Sequence, residues 1–379
     1  MKPKVAIIKC GDYSRQNIAT AIEQAFDLLS LNEIIKPDQR ILLKPNLLTD
    51  LAPEKGTTTH PEIVRAIAYK VKDLGALPFI GDSPGGTGLS YENVLKKTGM
   101  KDIGIPTVNL DEKGMRKFEN PGGKMDPIYI SNSALSFDMI INIPKLKTHE
   151  LTQITCGIKN MFGCVPGLHK VNYHLEAPFP EEFSGALVDL FEKIRPAVTI
   201  TDAVTAMEGQ GPAGGELRDL GLIIASTDTV ALDAVCSKMI GFEPLDIFTT
   251  RIAHQRGLGE AEMDKIDILG EKFQEFKDFK HPSGITSILN KMPAPLRNLI
   301  RPLITLIRIR LRINGRKCVK CRICVNSCPA KAIDGKTFKI NENQCIMCFC
   351  CRELCKYGAV DLKENLLWKT AKQLMKFRT

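Results

Sequence analysis

The feature that most constrains this chain is a repeated spacing of cysteines. Cys318, Cys321, Cys324 and Cys328 follow C-x2-C-x2-C-x3-C, and Cys345, Cys348, Cys351 and Cys355 repeat that spacing 27 residues later. The repeat runs past the cysteines: Ala332-Ile333-Asp334 follows the first set, and Ala359-Val360-Asp361 follows the second at the same offset. Of 13 cysteines, nine lie between Cys318 and Cys355, while Cys10, Cys156, Cys164 and Cys236 are scattered over the 317 residues before them. A secreted disulfide framework needs a signal peptide and does not crowd into one segment. The stretch from Met1 to Cys10 has too short an apolar run for a signal peptide and reads as a first strand. The crowding therefore points to metal.

The spacing has a physical reason. Three thiolates on a tight loop grip three irons of a cubane, and a fourth on the following turn reaches across to the other cluster. By that logic Cys318, Cys321, Cys324 and Cys355 hold one cluster, and Cys345, Cys348, Cys351 and Cys328 hold the other. Structural zinc instead uses pairs of C-x2-C rather than triplets with a trailing cysteine. Cys350 stands outside the pattern and reads as a spare thiol near a cluster. Residues 316–362 thus resemble a bacterial two-cluster ferredoxin module, which implies two 4Fe-4S clusters in a small α+β domain. One departure is visible: Pro329 follows the first set, but Lys356 follows the second.

Charge narrows the partners. The formal net charge is +9, and two four-iron clusters on eight thiolates would bring it to roughly +5. That balance makes no strong case for nucleic acid. Apolar residues at 44% and charged residues at 25% exclude disordered and low-complexity classes. No run of 18 apolar residues occurs, so no spanning helix is expected, and the expected location is the cytoplasm. The length predicts two or three domains.

Before the cysteine segment, strand-like and helix-like stretches alternate. Strands are expected at 5–8, 41–43, 77–80, 138–143, 197–200, 222–225 and 266–269, and helices at 18–31, 61–74, 91–97 and 229–240. This alternation argues for α/β layers with a mainly parallel sheet and flanking helices. Ligands in such sheets sit beyond the carboxyl ends of strands, where this chain places Lys44-Pro45-Asn46, Gly81-Asp82 with the glycine loop to Gly88, Pro144 to His149, and Thr201-Asp202 with Met207-Glu208-Gly209.

Lys44-Pro-Asn46, Asn142-Ile-Pro-Lys-Leu-Lys-Thr-His149, Gly157-Ile-Lys-Asn160 and Met207-Glu-Gly209 resemble the domain of unknown function 362 family over most of residues 1–270. The resemblance implies one evolutionary unit, which often carries a ferredoxin module, and no settled reaction. The chemistry is therefore read from the residues. Lys145, Lys147, His149 and Lys159 are the catalytic candidates. Lys44, Asn46, Asp82, Asn160 and Glu208 are the substrate-binding candidates. Lysines at strand ends offer charge-assisted hydrogen bonds to carboxylate or phosphate, Asn46 and Asn160 can orient a polar group, and His149 can transfer a proton near neutral pH. The alternative is a solvated lysine cluster beside structural turns. The glycine loop is either an anion cradle or a plain turn. Cys156 and Cys164 read as buried thiols rather than a third metal site, and His169 and His174 as non-ligands on a loop.

Residues 271–315 read as a connector packed on the larger domain, with Phe273, Phe276 and Phe279 at helical spacing and an alternating basic run from Ile307 to Ile313. Residues 299–313 could alternatively be an amphipathic helix on anionic lipid. Residues 363–379 are expected to form a terminal helix. The leading expectation is an iron–sulfur protein whose ferredoxin module exchanges electrons with a redox carrier protein, on behalf of a small anionic substrate in the α/β domain. The rivals are a plain ferredoxin-type carrier whose large domain only docks partners, and a sensor or assembly factor.

Overall fold

The computed structural model describes residues 2–85, 89–167, 169–282 and 310–363. Gly86 to Gly88 of the glycine loop, most of the basic segment 299–313, and residues 364–379 of the expected terminal helix lie outside the described residues.

The elements run in chain order as β1 (Lys4–Lys9), α1 (Arg15–Leu28), α2 (Leu31–Ile34), β2 (Arg40–Pro45), α3 (Pro61–Asp73), β3 (Leu77–Asp82), α4 (Tyr91–Lys97) and β4 (Thr107–Asn109). A hairpin of β5 (Met115–Phe118) and β6 (Ile128–Ser131) leads to β7 (Met139–Ile143), β8 (Lys145–His149), β9 (Gln153–Thr155) and α5 (Gly157–Asn160). Then come α6 (His169–Glu176), α7 (Pro180–Lys193), β10 (Val198–Glu208), β11 (Glu216–Ser226), α8 (Thr229–Met239), α9 (Phe248–Gln255) and β12 (Asp267–Gly270). The cysteine segment adds β13 (Arg310–Ile313), α10 (Ile323–Asn326), α11 (Cys350–Glu353) and β14 (Val360–Lys363).

The large sheet runs β12-β1-β11-β10-β7-β2-β3-β4, with β8 on β10 and β9 on β8. It is mostly parallel; β11 is antiparallel to both β1 and β10, and β9 to β8. Both faces are covered, which the alternation of single strands shows. Ile41 and Leu43 point into one core and Leu42 into the other; Ala6 and Ile8 part from Val5 and Ile7 in the same way. Helix α1 buries Ile18, Ala21, Ile22, Ala25 and Phe26, a stripe with the 3.6-residue period. Asp228 caps α8 by accepting from the N–H groups of Val230 and Ala231.

Several expectations are corrected. Residues 145–149 form strand β8 rather than a loop, and the strand expected at 197–200 continues to Glu208. In both cases polar residues stay in the strand because a buried partner meets them: Asp202 lies across from Lys145 in the ladder. His169 and His174 lie on helix α6, not on a loop. Phe273, Phe276 and Phe279 form no helix; the segment is irregular and packs on the α/β core, with Phe279 buried. Of the alternating basic run, Arg310–Ile313 is a strand, β13, antiparallel to β14. Lys363 ends β14 rather than beginning a helix.

Candidate functional site

The two cysteine loops fold alike. Lys320 and Arg322 in the first, and Met347 and Phe349 in the second, all adopt left-handed backbone with φ between 57° and 64°. The trailing cysteine of each set accepts a backbone hydrogen bond at 3.2 Å, Cys328 from Ala332 and Cys355 from Ala359. These turns sort the eight thiols into two small cavities. One is lined by Cys318, Cys321, Cys324 and Cys355, the other by Cys328, Cys345, Cys348 and Cys351. In each, the fourth cysteine comes from the other repeat. Among the described residues no three of these sulfurs lie within 4.8 Å of one another. A single tetrahedral zinc, with Zn–S near 2.3 Å, would draw its thiolates to about 3.8 Å apart. The wider spread suits a body of several irons, each taking one thiolate.

The second loop docks on the α/β domain. Lys356 donates to both carboxylate oxygens of Asp50, at 2.7 and 2.9 Å, so the lysine that replaces a proline is an interface residue. Arg352 bonds Gln210 and faces Glu150. Between them Glu353 Oε1 lies 3.0 Å from His149 Nε2. His149 Nδ1 accepts from the N–H groups of Leu151 and Thr152, which leaves the ring proton on Nε2; despite the short distance, neither Nε2 nor Glu353 Oε1 has a hydrogen-bond partner among the described residues. Burial pushes His149 down to about 4. Burial raises Glu353, but His149 and Lys159 outweigh it and hold the carboxyl at about 2. Burial thus favours the neutral imidazole, with Nδ1 engaged as an acceptor.

At this junction lies a cavity of roughly 120 Å³. Asn46, Asp82, Lys159, Asn160, Phe162, Lys170 and His174 line it from the α/β side; Ser327, Cys350, Glu353 and Leu354 close it from the cysteine segment. Ser327 and Cys350 each adjoin in sequence a thiol of the Cys328, Cys345, Cys348, Cys351 set. Lys159 has no hydrogen-bond partner among the described residues, and burial lowers its pKa against the pull of Glu353. Lys170 donates to the Ser83 and Pro84 carbonyls and to Ser83 Oγ; burial pushes it down to about 8.

The structure brings together only some of the sequence candidates. Lys159, Asn46, Asn160 and Asp82 reach the cavity. Lys44 stands behind it, paired with Asp82 at 2.8 Å. Lys147 is buried, donating to Asn46 Oδ1 at 2.8 Å and to the Thr57 carbonyl at 2.7 Å. Asn46 in turn donates to Asn160, and Asn160 to Asn142, so an amide relay fixes both asparagines. Lys145 is elsewhere, held by Asp202 at 2.9 Å and Tyr13 at 2.6 Å. Glu208 is also apart, accepting from the Lys280 N–H. The lysines are not a solvated cluster: Lys44, Lys145 and Lys147 are at most 1% exposed. Sequence reasoning missed Lys170, His174, Cys350 and Glu353 as cavity residues. Cys350 alone carried a signal, as the one cysteine of its segment outside the repeat.

Comparison with known proteins adds the following. A model described as domain of unknown function (DUF362) matches residues 41–238, and one for a 4Fe-4S dicluster domain matches residues 310–356. The thylakoid-associated protein sll1697 of Synechocystis sp. (strain ATCC 27184 / PCC 6803 / Kazusa) is 34% identical over 264 residues, covering 68% of this chain and 81% of that protein. Among solved structures, the lactate racemase apoprotein from Thermoanaerobacterium thermosaccharolyticum matches with a TM-score of 0.40 and 13% identity. That match covers 60% of this chain and 55% of the racemase chain, so this chain spans about half the length of that structure. No helix among the described residues is long and apolar enough to cross a membrane.

Proposed function

Because the chain belongs to the domain of unknown function 362 family and carries a 4Fe-4S dicluster domain, which makes it an iron–sulfur protein, we propose that it exchanges electrons between a carrier protein and a small anion held in the junction cavity. Cys318, Cys321, Cys324 and Cys355 hold one 4Fe-4S cluster and Cys328, Cys345, Cys348 and Cys351 the other. When bound, the clusters supply one-electron steps between the carrier and the cavity's occupant. The observation that carries this reading is the shared wall: the cavity is closed by Ser327 and Cys350, neighbours of the second thiol set.

The residues divide the work. Lys159 and Lys170 bind the anion by charge-assisted hydrogen bonds. Asn46 and Asn160, locked by their relay, orient it. Phe162 and Leu354 exclude water from one side. The first thiol set suits the carrier, since Cys321 is exposed and Val319 and Tyr357 beside that set are 55% and 46% exposed.

The reading is tested on anaerobically purified protein, which should hold about eight irons and eight labile sulfides. After reduction by a ferredoxin, a small-molecule cell extract should re-oxidise it. Lys159→Gln should abolish re-oxidation by the extract and leave reduction by the carrier unchanged. If re-oxidation is the same in the variant, the large domain only docks partners and the protein is a plain carrier.

A further inference from the structure

We propose that the junction cavity is a subsite for a small monocarboxylate, its carboxylate on Lys159 and its apolar end against Phe162 and Leu354. This rests on the reading that the cavity holds the substrate, and it names the substrate class.

Size comes first. Roughly 120 Å³ lies well below the about 300–1,000 Å³ of pockets that take drug-sized ligands. A nucleotide or flavin does not fit; an acid of a few carbons does.

Charge comes second. Asp82 is matched by Lys44 at 2.8 Å and contributes no net charge. The remaining lining charges are Lys159 and Lys170 against the carboxylate of Glu353. One positive charge is left over, enough for one negative charge on the occupant. A phosphate dianion would bring a second, uncompensated, beside the Glu353 carboxylate.

Unmet polar groups come third. His174 is 7% exposed and lines the cavity, yet its Nδ1 has no hydrogen-bond partner among the described residues. Lys159 is likewise unpartnered there. A carboxylate has two oxygens, one for each. Phe162, Val171 and Leu354 offer no polar side-chain group and leave the rest of the occupant apolar.

Cys350 makes the proposal testable, because its residue lines the same cavity and its thiol lies outside both sets of four. The other thiols outside those sets, Cys10, Cys156, Cys164 and Cys236, are 0–2% exposed. Anaerobic protein with its clusters in place is treated with iodoacetate or with neutral iodoacetamide. Each forms a C–S bond at Cys350 Sγ as the C–I bond breaks, iodide leaves, and the thiol proton passes to the buffer. Intact mass and peptide mapping give the rate at Cys350, normalised to free cysteine. The expected result is about a tenfold preference for iodoacetate, the worth of one charge-assisted hydrogen bond. Lys159→Gln should lose the preference and Lys159→Arg should keep it, with iron content reporting that each variant is folded. Propionate should protect Cys350, and phosphate at equal concentration should not. If phosphate protects as well as propionate, the monocarboxylate assignment fails while an anion site remains. If the two reagents react alike and neither anion protects, the anion site fails with it.

Discussion

A buried ammonium is costly to desolvate unless an anion and hydrogen-bond acceptors surround it. Lys145 has both, in Asp202 and Tyr13. Replacing it strands the Asp202 carboxylate, so Lys145→Met should destabilise the fold by about 3–5 kcal/mol. Adding Asp202→Asn, which removes the stranded charge but keeps an acceptor for Tyr13 and the His60 N–H, should recover part of that loss, and anaerobic denaturation of the single and double variants checks it. Anion binding in the folded fraction should survive, because this pair lies outside the cavity. Lys170 behaves differently. Its carbonyl acceptors carry no full charge, and burial sets its pKa at about 8. A cation with a lowered pKa is present below that value and lost above it. Anion affinity should therefore hold below pH 8 and fall by up to tenfold per pH unit above it, until the pKa of the anion-bound form is reached. Lys170→Arg, which stays charged, should flatten the fall; calorimetric titration across pH 7–10 reads both. That lysines gather near strand ends was legible from the sequence. Which of them line the cavity was not, because pairing with Asp202 or Asp82 depends on strands far apart in the chain.

At the scale of elements, the cysteine loops were the most legible part, because ligand spacing within a loop is a local property of the backbone. The left-handed residues recur at the same offset as the cysteines, and each trailing cysteine lines the cavity of the other set. Cys328→Ser should therefore disturb the same paramagnetic signal as Cys345→Ser, and Cys355→Ser should disturb the other. Resolved electron paramagnetic spectra of the reduced variants decide this. A Cys328→Ser variant that instead damages the signal of Cys318, Cys321 and Cys324 would sink the crossing. Strand β10 was less legible. Thr201, Asp202 and Glu208 read as lying beyond the end of a strand, since polar residues in a central strand are rare. Yet Asp202 is satisfied from three sides, by Tyr13, Lys145 and the His60 N–H, and the ladder continues past it with a bulge between Ala203 and Thr205. Helix α6 was missed because the residues it turns to the cavity, Lys170, Val171 and His174, form no apolar stripe.

At the scale of the whole molecule, the sequence reading placed an α/β domain over residues 1–270, a connector over 271–315 and the cysteine module after it. The cysteine segment supplies one wall of the cavity and ion pairs across the junction. Nothing in the sequence joins Glu353 to His149, 204 residues away, so this contact was out of reach of local pattern. Asp50 should be sensitive: it is 8% exposed and takes both Lys356 and Lys97. Asp50→Asn should weaken docking by about 1.5–3 kcal/mol, the range for hydrogen bonds to charged groups. Amide hydrogen exchange at residues 350–356 should then quicken while iron content stays at the parent value; unchanged exchange would show that the pair adds nothing. The docking residues Cys350, Arg352, Glu353 and Lys356 stand where the first repeat has Ile323, Val325, Asn326 and Pro329. The two halves keep the same ligands and differ at the positions that touch the large domain. A symmetric double unit conducts equally well either way round; these four side chains give this one a front and a back. Direction is therefore a separable property of the protein, and exchanging the four residues between halves is the change that would turn the unit around without altering a single ligand.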